Sequence, residues 1–276
     1  MEKFKGSIQS KLRKQETSIF AIMSALAREH SAINLSQGFP DCPISQKLIE
    51  LVHKYMQKGY NQYAPMTGVP ELREQLALKF EKLYGAVYNM DSEINITAGA
   101  TQALHTAIAA IIRDDDEVIV FEPAYDAYVP VIKLHGGMVK YAPLKLPDYH
   151  IDWQEVKKLI SNRTRMIIIN SPHNPTGSVL KPSDMKELIK ITRNSDIIIL
   201  SDEVYEHLIF DSIKHESVSA YPELAERAFV VGSFGKTFHA TGWKTGFILA
   251  PENLMDEFRK IHQFVVFACN TPIQHA

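Results

Sequence analysis

The stretch Val230–Gly246 contains the residue whose chemistry is most readily inferred from the sequence, Lys236. This lysine follows an apolar run rich in β-branched residues and stands between a glycine and a threonine, as expected for a turn at the end of a buried strand. Partial burial lowers the pKa of a lysine amine and leaves the amine free to attack a carbonyl carbon. The pattern therefore predicts a lysine that forms a Schiff base rather than a solvated surface charge.

The tripeptide Gly235-Lys236-Thr237 also resembles the end of a P-loop, the phosphate-binding motif G-x-x-x-x-G-K-[ST]. That motif requires its first glycine at position 230, where this chain has Val230. A P-loop is therefore excluded, and the lysine needs another explanation.

The composition is that of a protein with a substantial core and no strong electrostatic preference for a partner. The 276 residues are 45% hydrophobic, and 30 basic against 32 acidic residues give a net charge of −2. This balance gives no reason to expect a nucleic-acid or membrane partner. Cys42 and Cys269 are far apart in sequence, which argues against a disulfide framework and favours a reducing compartment. Because we find neither a signal-peptide pattern nor an apolar run as long as a membrane span, we expect a cytoplasmic protein.

From Glu93 onward, short apolar runs alternate with amphipathic segments. This alternation predicts an α/β fold of three layers, in which helices cover both faces of a mostly parallel sheet. We expect an N-terminal arm and helix in residues 1–34, followed by one large domain in residues 35–276. The predicted strands are Ile94–Thr97, Val118–Phe121, Met138–Tyr141, Met166–Asn170, Ile197–Ser201, Ala228–Gly232 and Gly246–Ala250. The predicted helices are Ile19–His30, Ser45–Lys58, one from Pro70 to Gly85, Thr101–Ile112, Asp126–His135, Asp152–Ile160 and Ser183–Arg193.

Polar residues follow four of the predicted strands: Gly99-Ala100-Thr101, Asn174, Asp202 with Tyr205, and Ser233 with Lys236. Taken alone, each has an ordinary structural explanation, such as a tight turn, a helix cap for Asp202 or core packing for Tyr205. Ligands of open α/β sheets bind outside the carboxyl ends of the strands. Because polar residues follow four of the predicted strands, we expect these residues to form one site. Gly99-Ala100-Thr101 opens a helix and offers free N–H groups to a phosphate. The absence of G-x-G-x-x-G argues against a dinucleotide.

This ordered set of motifs resembles the class I aminotransferases, which are pyridoxal-phosphate enzymes of fold type I. It is especially similar to the branch that contains the methionine and kynurenine aminotransferases. The motifs that carry the resemblance extend from Ser36 to Gly246. They are SQGFPD (Ser36–Asp41), NQY (Asn61–Tyr63), TAGATQAL (Thr97–Leu104), EPAYDAY (Glu122–Tyr128), NSPHNPTG (Asn170–Gly177), SDEVYEHL (Ser201–Leu208) and SFGKTFHATGWKTG (Ser233–Gly246).

The resemblance implies pyridoxal 5′-phosphate as the cofactor and assigns roles around its ring. Lys236 would hold the cofactor as a Schiff base and then move the proton of the substrate's Cα. Asp202 would face the pyridine nitrogen and keep it protonated, so that the ring can accept electrons. Tyr205 and Asn174 would hydrogen-bond the ring's phenolic oxygen. Tyr125 would stack on the ring face.

The remaining implied contacts concern the phosphate, the substrate and a second subunit. The phosphate would be bound by Gly99, Ala100, Thr101, Ser233 and Lys244. Many class I aminotransferases have arginine in place of Lys244, and the kynurenine-type branch shares the lysine. Gly38 and Asn174 would lie near the substrate's carboxylate. Tyr63 would reach the phosphate of a neighbouring subunit, so the resemblance also implies a homodimer.

The function implied is transamination between an amino acid, either methionine or an aromatic or kynurenine-like one, and a 2-oxo acid. Two alternatives remain open at this point. One is a pyridoxal-phosphate lyase that cleaves the C–S bond of cysteine conjugates. The other is a cofactor-binding module without activity, such as the effector half of a transcription regulator, although the residues before Leu35 are too few for a DNA-binding domain.

Family members continue through a small C-terminal domain with an arginine that pairs with the substrate carboxylate. In this chain no residue after Asn270 matches that arginine's motif. We therefore expect a truncated product or a fragment, with the small domain missing. In that case we expect weak cofactor binding, poor turnover and exposed apolar surface near Phe264–Phe267.

Overall fold

A computed structural model describes residues 3–12, 19–36, 38, 40 and 42–276 of the protein. Three residues of the SQGFPD motif, Gln37, Phe39 and Asp41, therefore lie outside the described residues. Within the described ranges, none of the helices combines the length and the apolarity needed to cross a membrane.

The described residues form a seven-stranded sheet in the order β1-β7-β6-β5-β4-β2-β3. The strands are β1 (Ile94–Thr97), β2 (Glu117–Glu122), β3 (Met138–Pro143), β4 (Thr164–Asn170), β5 (Ile198–Asp202), β6 (Ala228–Ser233) and β7 (Gly246–Leu249). β7 runs antiparallel to both of its neighbours, whereas the strands from β3 to β6 pair in parallel. The expectation of a mostly parallel sheet is confirmed.

Helices cover this sheet on both faces. They are α1 (Ile19–Glu29), α2 (Gln46–Gln57), α3 (Pro70–Tyr84), α4 (Ala100–Ile111), α5 (Tyr128–Leu134), α6 (Trp153–Leu159), α7 (Pro182–Thr192), α8 (Pro222–Ala225), α9 (Phe234–Thr237), α10 (Glu252–Val265) and α11 (Thr271–His275). Short 3₁₀ helices occur at Val218–Ala220 and Thr241–Trp243. The predicted helices and strands agree with these bounds apart from shifts of one or two residues.

The two faces of the sheet have separate apolar cores, because successive side chains of a strand point to opposite faces. Ile167 of β4 packs into the core that contains Leu76 and Phe80 of α3. Its neighbour Ile168 packs into the other core, with Ile108 of α4 and Phe258 of α10. Burial on both faces explains why these strands read as continuous apolar runs rather than as alternating patterns.

The helix α10 was not predicted from the sequence, although its pattern is amphipathic. Met255, Phe258 and His262 lie on one face and are buried, at the spacing of helix neighbours. Immediately after them the apolar side chains turn outward, and Phe264 is 86% exposed. Val265 and Phe267 are also exposed, as expected for this part of the chain.

Substitution of Gly232 by alanine is expected to destabilise the fold by about 1–3 kcal/mol, the usual cost of overpacking a core. A Cβ at this position of β6 would lie 2.1 Å from Cζ of the buried Phe247, which has no space to move away. Urea unfolding of the protein without added ligands measures the effect. Gly242→Ala serves as the control, because a Cβ there would meet nothing within 4 Å. Equal stability of the two variants would contradict this account of the core.

Candidate active site

A cleft of about 920 Å³ opens at the carboxyl ends of the parallel strands. Its walls are formed by the ends of β4, β5 and β6, by the first turn of α4 and by α1. All but one of the predicted site residues line it, namely Gly38, Gly99, Ala100, Thr101, Tyr125, Asn174, Asp202, Tyr205, Ser233, Lys236 and Lys244. The folded chain therefore brings together residues that are more than two hundred positions apart in sequence, Gly38 and Lys244 being the most distant pair.

Lys236 enters the cleft from α9, the single helical turn that follows β6 directly. Its Nζ donates a hydrogen bond of 2.6 Å to the carbonyl oxygen of Gly38 and lies 5.1 Å from the centroid of the Tyr205 ring. Partial burial, and then the nearby charge of Lys244, lowers the pKa of Lys236, while Asp202 acts in the opposite direction. This lowered pKa is the property that a nucleophilic lysine requires.

Asp202 is the last residue of β5 and is only 3% exposed. Tyr128 donates its hydroxyl to Oδ2 of Asp202 at 2.6 Å, and the N–H of Val204 donates to Oδ1 at 3.3 Å. Burial raises the pKa of Asp202 to about 6, although both hydrogen bonds act to lower it. The carboxylate is thus oriented by two donors, and its pKa lies above the usual range of a carboxyl group.

Sequence reasoning gave no role to Tyr128, although it is the last residue of the EPAYDAY motif. The available signal was weak, because a tyrosine at the start of a helix usually packs in the core. Tyr128 is indeed buried, and a buried hydroxyl requires a hydrogen-bond partner, which here is Asp202. Its ring also contacts that of Tyr125, with 5.6 Å between the centroids, so one tyrosine supports the other.

Asn170 is a second residue that sequence reasoning did not select. Its Nδ2 donates to the main-chain oxygen of Asp202 at 2.8 Å, and its Oδ1 accepts the N–H of Asn174 at 2.7 Å. Asn170 therefore ties the loop after β4 to the end of β5. This link keeps Asn174 beside Asp202 in the cleft wall.

Another part of the cleft wall, at the start of α4, has the features of an anion site. Gly99 has φ +78° and precedes α4, and among the described residues no side chain caps the N-terminus of that helix. A Cβ at Gly99 would lie 3.5 Å from Nζ of Lys244, and a Cβ at Gly246 would lie 2.9 Å from the nitrogen of Ala100. The absence of both side chains lets the lysine and the start of β7 approach the first turn of α4. Free N–H groups, a helix dipole and an ammonium group together suit a phosphate.

Thr101 and Tyr125 connect this anion site to the middle of the cleft. The Thr101 Oγ1 and the Tyr125 hydroxyl oxygen are 3.3 Å apart. Ser233, at the end of β6, lines the same region. A flat molecule that carries both a phosphate and a protonated nitrogen would therefore meet complementary groups in this cleft, the first turn of α4 with Lys244 for the phosphate and Asp202 for the nitrogen.

Tyr63 is the one predicted site residue that lies outside the cleft. It is 82% exposed, and its ring forms an edge contact with Phe267 at 5.2 Å between centroids. It lines a smaller cavity of about 350 Å³ instead. Within a single chain, therefore, Tyr63 is separate from the residues that surround Lys236.

One face of α1 also lines the cleft, which sequence reasoning did not anticipate. The contributing residues follow helical spacing and are Phe20, Ala21, Ser24 and Arg28. This face supplies one arginine and one aromatic ring to the lining of the cleft.

Comparison with known proteins places these features in a family. Residues 30–276 match the family model described as "Aminotransferase class I and II". Methionine aminotransferase of Escherichia coli (strain K12) is 51% identical over 268 residues, which is 97% of this chain and 69% of that protein. A crystal structure of an E. coli protein with methionine aminotransferase function superposes with a TM-score of 0.94 at 50% identity, covering 98% of this chain and 70% of that one. Human kynurenine–oxoglutarate transaminase 1 is 34% identical, over 91% of this chain and 63% of its own length.

The burial of Asp202 predicts a pH-dependent stability difference between the wild type and Asp202→Asn. Between the ordinary pKa of 3.8 and the folded value of about 6, the native state keeps a proton that the unfolded chain releases, so wild-type stability falls as the pH rises. Relative to the variant, the wild type is expected to lose up to about 3 kcal/mol between pH 4 and pH 7.

Urea unfolding across this pH range, without added cofactor, measures the difference, with the exposed Asp196→Asn as the control. A stability difference between wild type and Asp202→Asn that does not change with pH would contradict the assignment.

Proposed function

This chain belongs to the family of class I and II aminotransferases, and on that premise we propose that it transfers the amino group of methionine, an aromatic amino acid or kynurenine to a 2-oxo acid. Members of the family depend on pyridoxal phosphate. The observation that carries the proposal is one cleft that holds a half-buried lysine, a buried carboxylate and a separate anion site. The choice of substrates is supported by the methionine and kynurenine aminotransferases to which the chain is similar.

The residues of the cleft fit pyridoxal phosphate. When bound, this cofactor supplies an electrophilic carbonyl and a ring that accepts electrons. The phosphate would be held by the first turn of α4, Ser233 and Lys244. Asp202 would face the ring nitrogen, Tyr205 and Asn174 the ring oxygen, and Tyr125 the ring face.

Lys236 is the group that accepts and returns the proton of the substrate's Cα. A lysine can act as a base only when its amine is neutral, and its lowered pKa increases the neutral fraction. The carbonyl of Gly38 accepts a hydrogen bond from the same nitrogen and so orients it towards the cleft. In the proposed enzyme, Gly38 and Asn174 lie on the side of the cleft that binds the substrate's carboxylate.

Asp202 acts in the proposed reaction as an anion. Burial raises its pKa only to about 6, so the carboxylate is still largely ionised at neutral pH. A protonated ring nitrogen beside it would favour the ionised form further, since opposite charges at close range stabilise each other. Tyr128 keeps the carboxylate in place by its hydrogen bond and is therefore a positioning residue that acts through Asp202.

The proposed active form is a homodimer. Tyr63 stands outside the cleft of its own chain with an exposed ring, as required of a residue that contacts a neighbouring subunit. Exposed apolar side chains lie in the same region, Phe267 in contact with Tyr63 and Phe264 nearby in sequence. Burial of these rings against a second copy would be favoured by the hydrophobic effect.

We place the proposed enzyme in the cytoplasm on chemical grounds. Cys42 is exposed, Cys269 is buried, and both are free thiols. Free thiols persist in a reducing compartment, which supports this location.

Lys236→Ala is expected to lower the rate of transamination by at least about 100-fold, because it removes the base that moves the Cα proton. The purified protein is incubated with pyridoxal phosphate, L-methionine and 2-oxoglutarate, and the 2-oxo acid formed from methionine is quantified by chromatography. L-Kynurenine and L-phenylalanine replace methionine in parallel reactions. Lys186→Ala, an exposed lysine of α7, is the control and should retain the wild-type rate.

Equal rates for the wild type and Lys236→Ala would contradict the proposal. A cysteine conjugate that yields pyruvate and ammonia faster than any amino acid is transaminated would instead assign C–S lyase activity.

A further inference from the structure

The side chains of the turn from Asp202 to Glu206 point in two directions. Asp202 and Tyr205 line the cleft. Glu203 and Glu206 are 3% and 6% exposed and lie outside the cleft lining. Each residue that faces the cofactor site is thus followed in sequence by a buried carboxylate. Buried carboxylates are uncommon, because the charge loses its hydration.

Glu206 is held by two residues of α3. Its Oε1 accepts a hydrogen bond of 2.5 Å from Nζ of Lys79, and its Oε2 accepts one of 2.9 Å from the hydroxyl of Tyr84. The Lys79 ammonium also lies 5.3 Å from the ring centroid of Phe247 on β7. Both carboxylate oxygens are therefore occupied, and the side chain has a single orientation.

Glu203 is likewise held by hydrogen bonds, from Ser201 of β5 and from residues of the segment that follows the turn. Its Oε2 accepts a hydrogen bond of 2.9 Å from Nε2 of His215, and its Oε1 accepts from the Ser201 hydroxyl at 2.8 Å and the Val218 N–H at 3.2 Å. Burial acts to lower the pKa of His215, but its hydrogen bond to Glu203 and the nearby glutamates outweigh burial, so the net shift is upward. The hydrogen bond to Glu203 thus holds the imidazole of His215 in place, and its pKa lies above the ordinary value.

Main-chain hydrogen bonds also restrain Tyr205, which lies between Glu203 and Glu206 in sequence. The N–H of Glu206 donates to the carbonyl of Glu203 at 3.0 Å, and the N–H of Leu208 donates to the carbonyl of Tyr205 at 2.7 Å. Tyr205 therefore stands between two anchored residues inside a hydrogen-bonded turn. Its ring is the one that Lys236 faces at 5.1 Å.

We propose that Glu203 and Glu206 are positioning residues, which hold the turn so that Asp202 and Tyr205 face the cofactor. Buried ion pairs contribute less to stability than apolar groups of similar size, so stability alone is a poor reason for two of them in one turn. Fixed geometry at the two cleft residues is a sufficient reason. This inference rests on the proposed function, since it concerns the orientation of residues towards pyridoxal phosphate.

Two variants test the role of Glu206. Glu206→Gln removes its charge, and Tyr84→Phe removes one hydroxyl without changing the packing volume. Glu187→Gln is the control, because Glu187 forms a similar but surface-exposed pair with Lys190 at 3.4 Å. For each protein we would measure the Kd for pyridoxal phosphate, the pH midpoint of the bound cofactor's absorption band, and thermal unfolding without cofactor.

Both test variants are expected to weaken cofactor binding by about three- to tenfold, as for the loss of one hydrogen bond. They are also expected to raise the pH midpoint of the absorption band by about 0.5 units or more. A hydroxyl that donates to the ring oxygen stabilises its anionic form, so a displaced Tyr205 makes that form less favourable. Glu187→Gln should match the wild type in both measurements.

A lowered unfolding temperature with an unchanged Kd and pH midpoint would show a purely structural role and overturn the inference. If Glu206→Gln does not fold, Tyr84→Phe alone decides, because the loss of one hydroxyl is a mild change. A wild-type protein that binds no pyridoxal phosphate refutes the proposed function and this inference with it. If the wild type binds pyridoxal phosphate and both variants have the same Kd and pH midpoint as the wild type, only the inference is refuted.

Discussion

The register of strand pairing determines where every group of the cleft lies. Asn170 at the end of β4 pairs with Asp202 at the end of β5, and Ser233 at the end of β6 pairs with Gly246 at the start of β7. Gly246 pairs in turn with Thr97 at the end of β1. The functional groups therefore occupy one row along the edge of the sheet. A shift of one residue in any pair would turn that strand's side chains to the opposite face and remove its contribution.

The electrostatics of the cleft follow from burial at this edge. Loss of hydration moves the pKa of Lys236 down and that of Asp202 up, so burial brings the two groups closer to titration near neutral pH. The anion site, by contrast, collects positive charge from Lys244 and from the N-terminus of α4. A cofactor with a phosphate and a basic ring nitrogen matches this separation of charge, which would determine its orientation in the cleft.

The sequence predicted the strands and most helices, because strands buried on both faces read as unbroken apolar runs. It also predicted the groups that follow those strands, since the carboxyl ends of parallel strands share one edge. It did not predict the partners of Asp202. Tyr128 and Asn170 are seventy-four and thirty-two residues away from Asp202, and nothing in either local pattern specifies that contact. Tyr63, which the resemblance assigned to a neighbouring subunit, lies outside the cleft of its own chain and contacts Phe267 instead.

Lys236 is the residue that we propose binds the carbonyl of pyridoxal phosphate. The most direct measurement is to incubate the purified protein with the cofactor, fix it covalently to its lysine with borohydride, and locate it by peptide mass spectrometry. We predict that the cofactor's mass is found on the peptide that contains Lys236 and is lost in Lys236→Ala. Its attachment to Lys244 or to surface lysines, with Lys236 unmodified, would contradict this account.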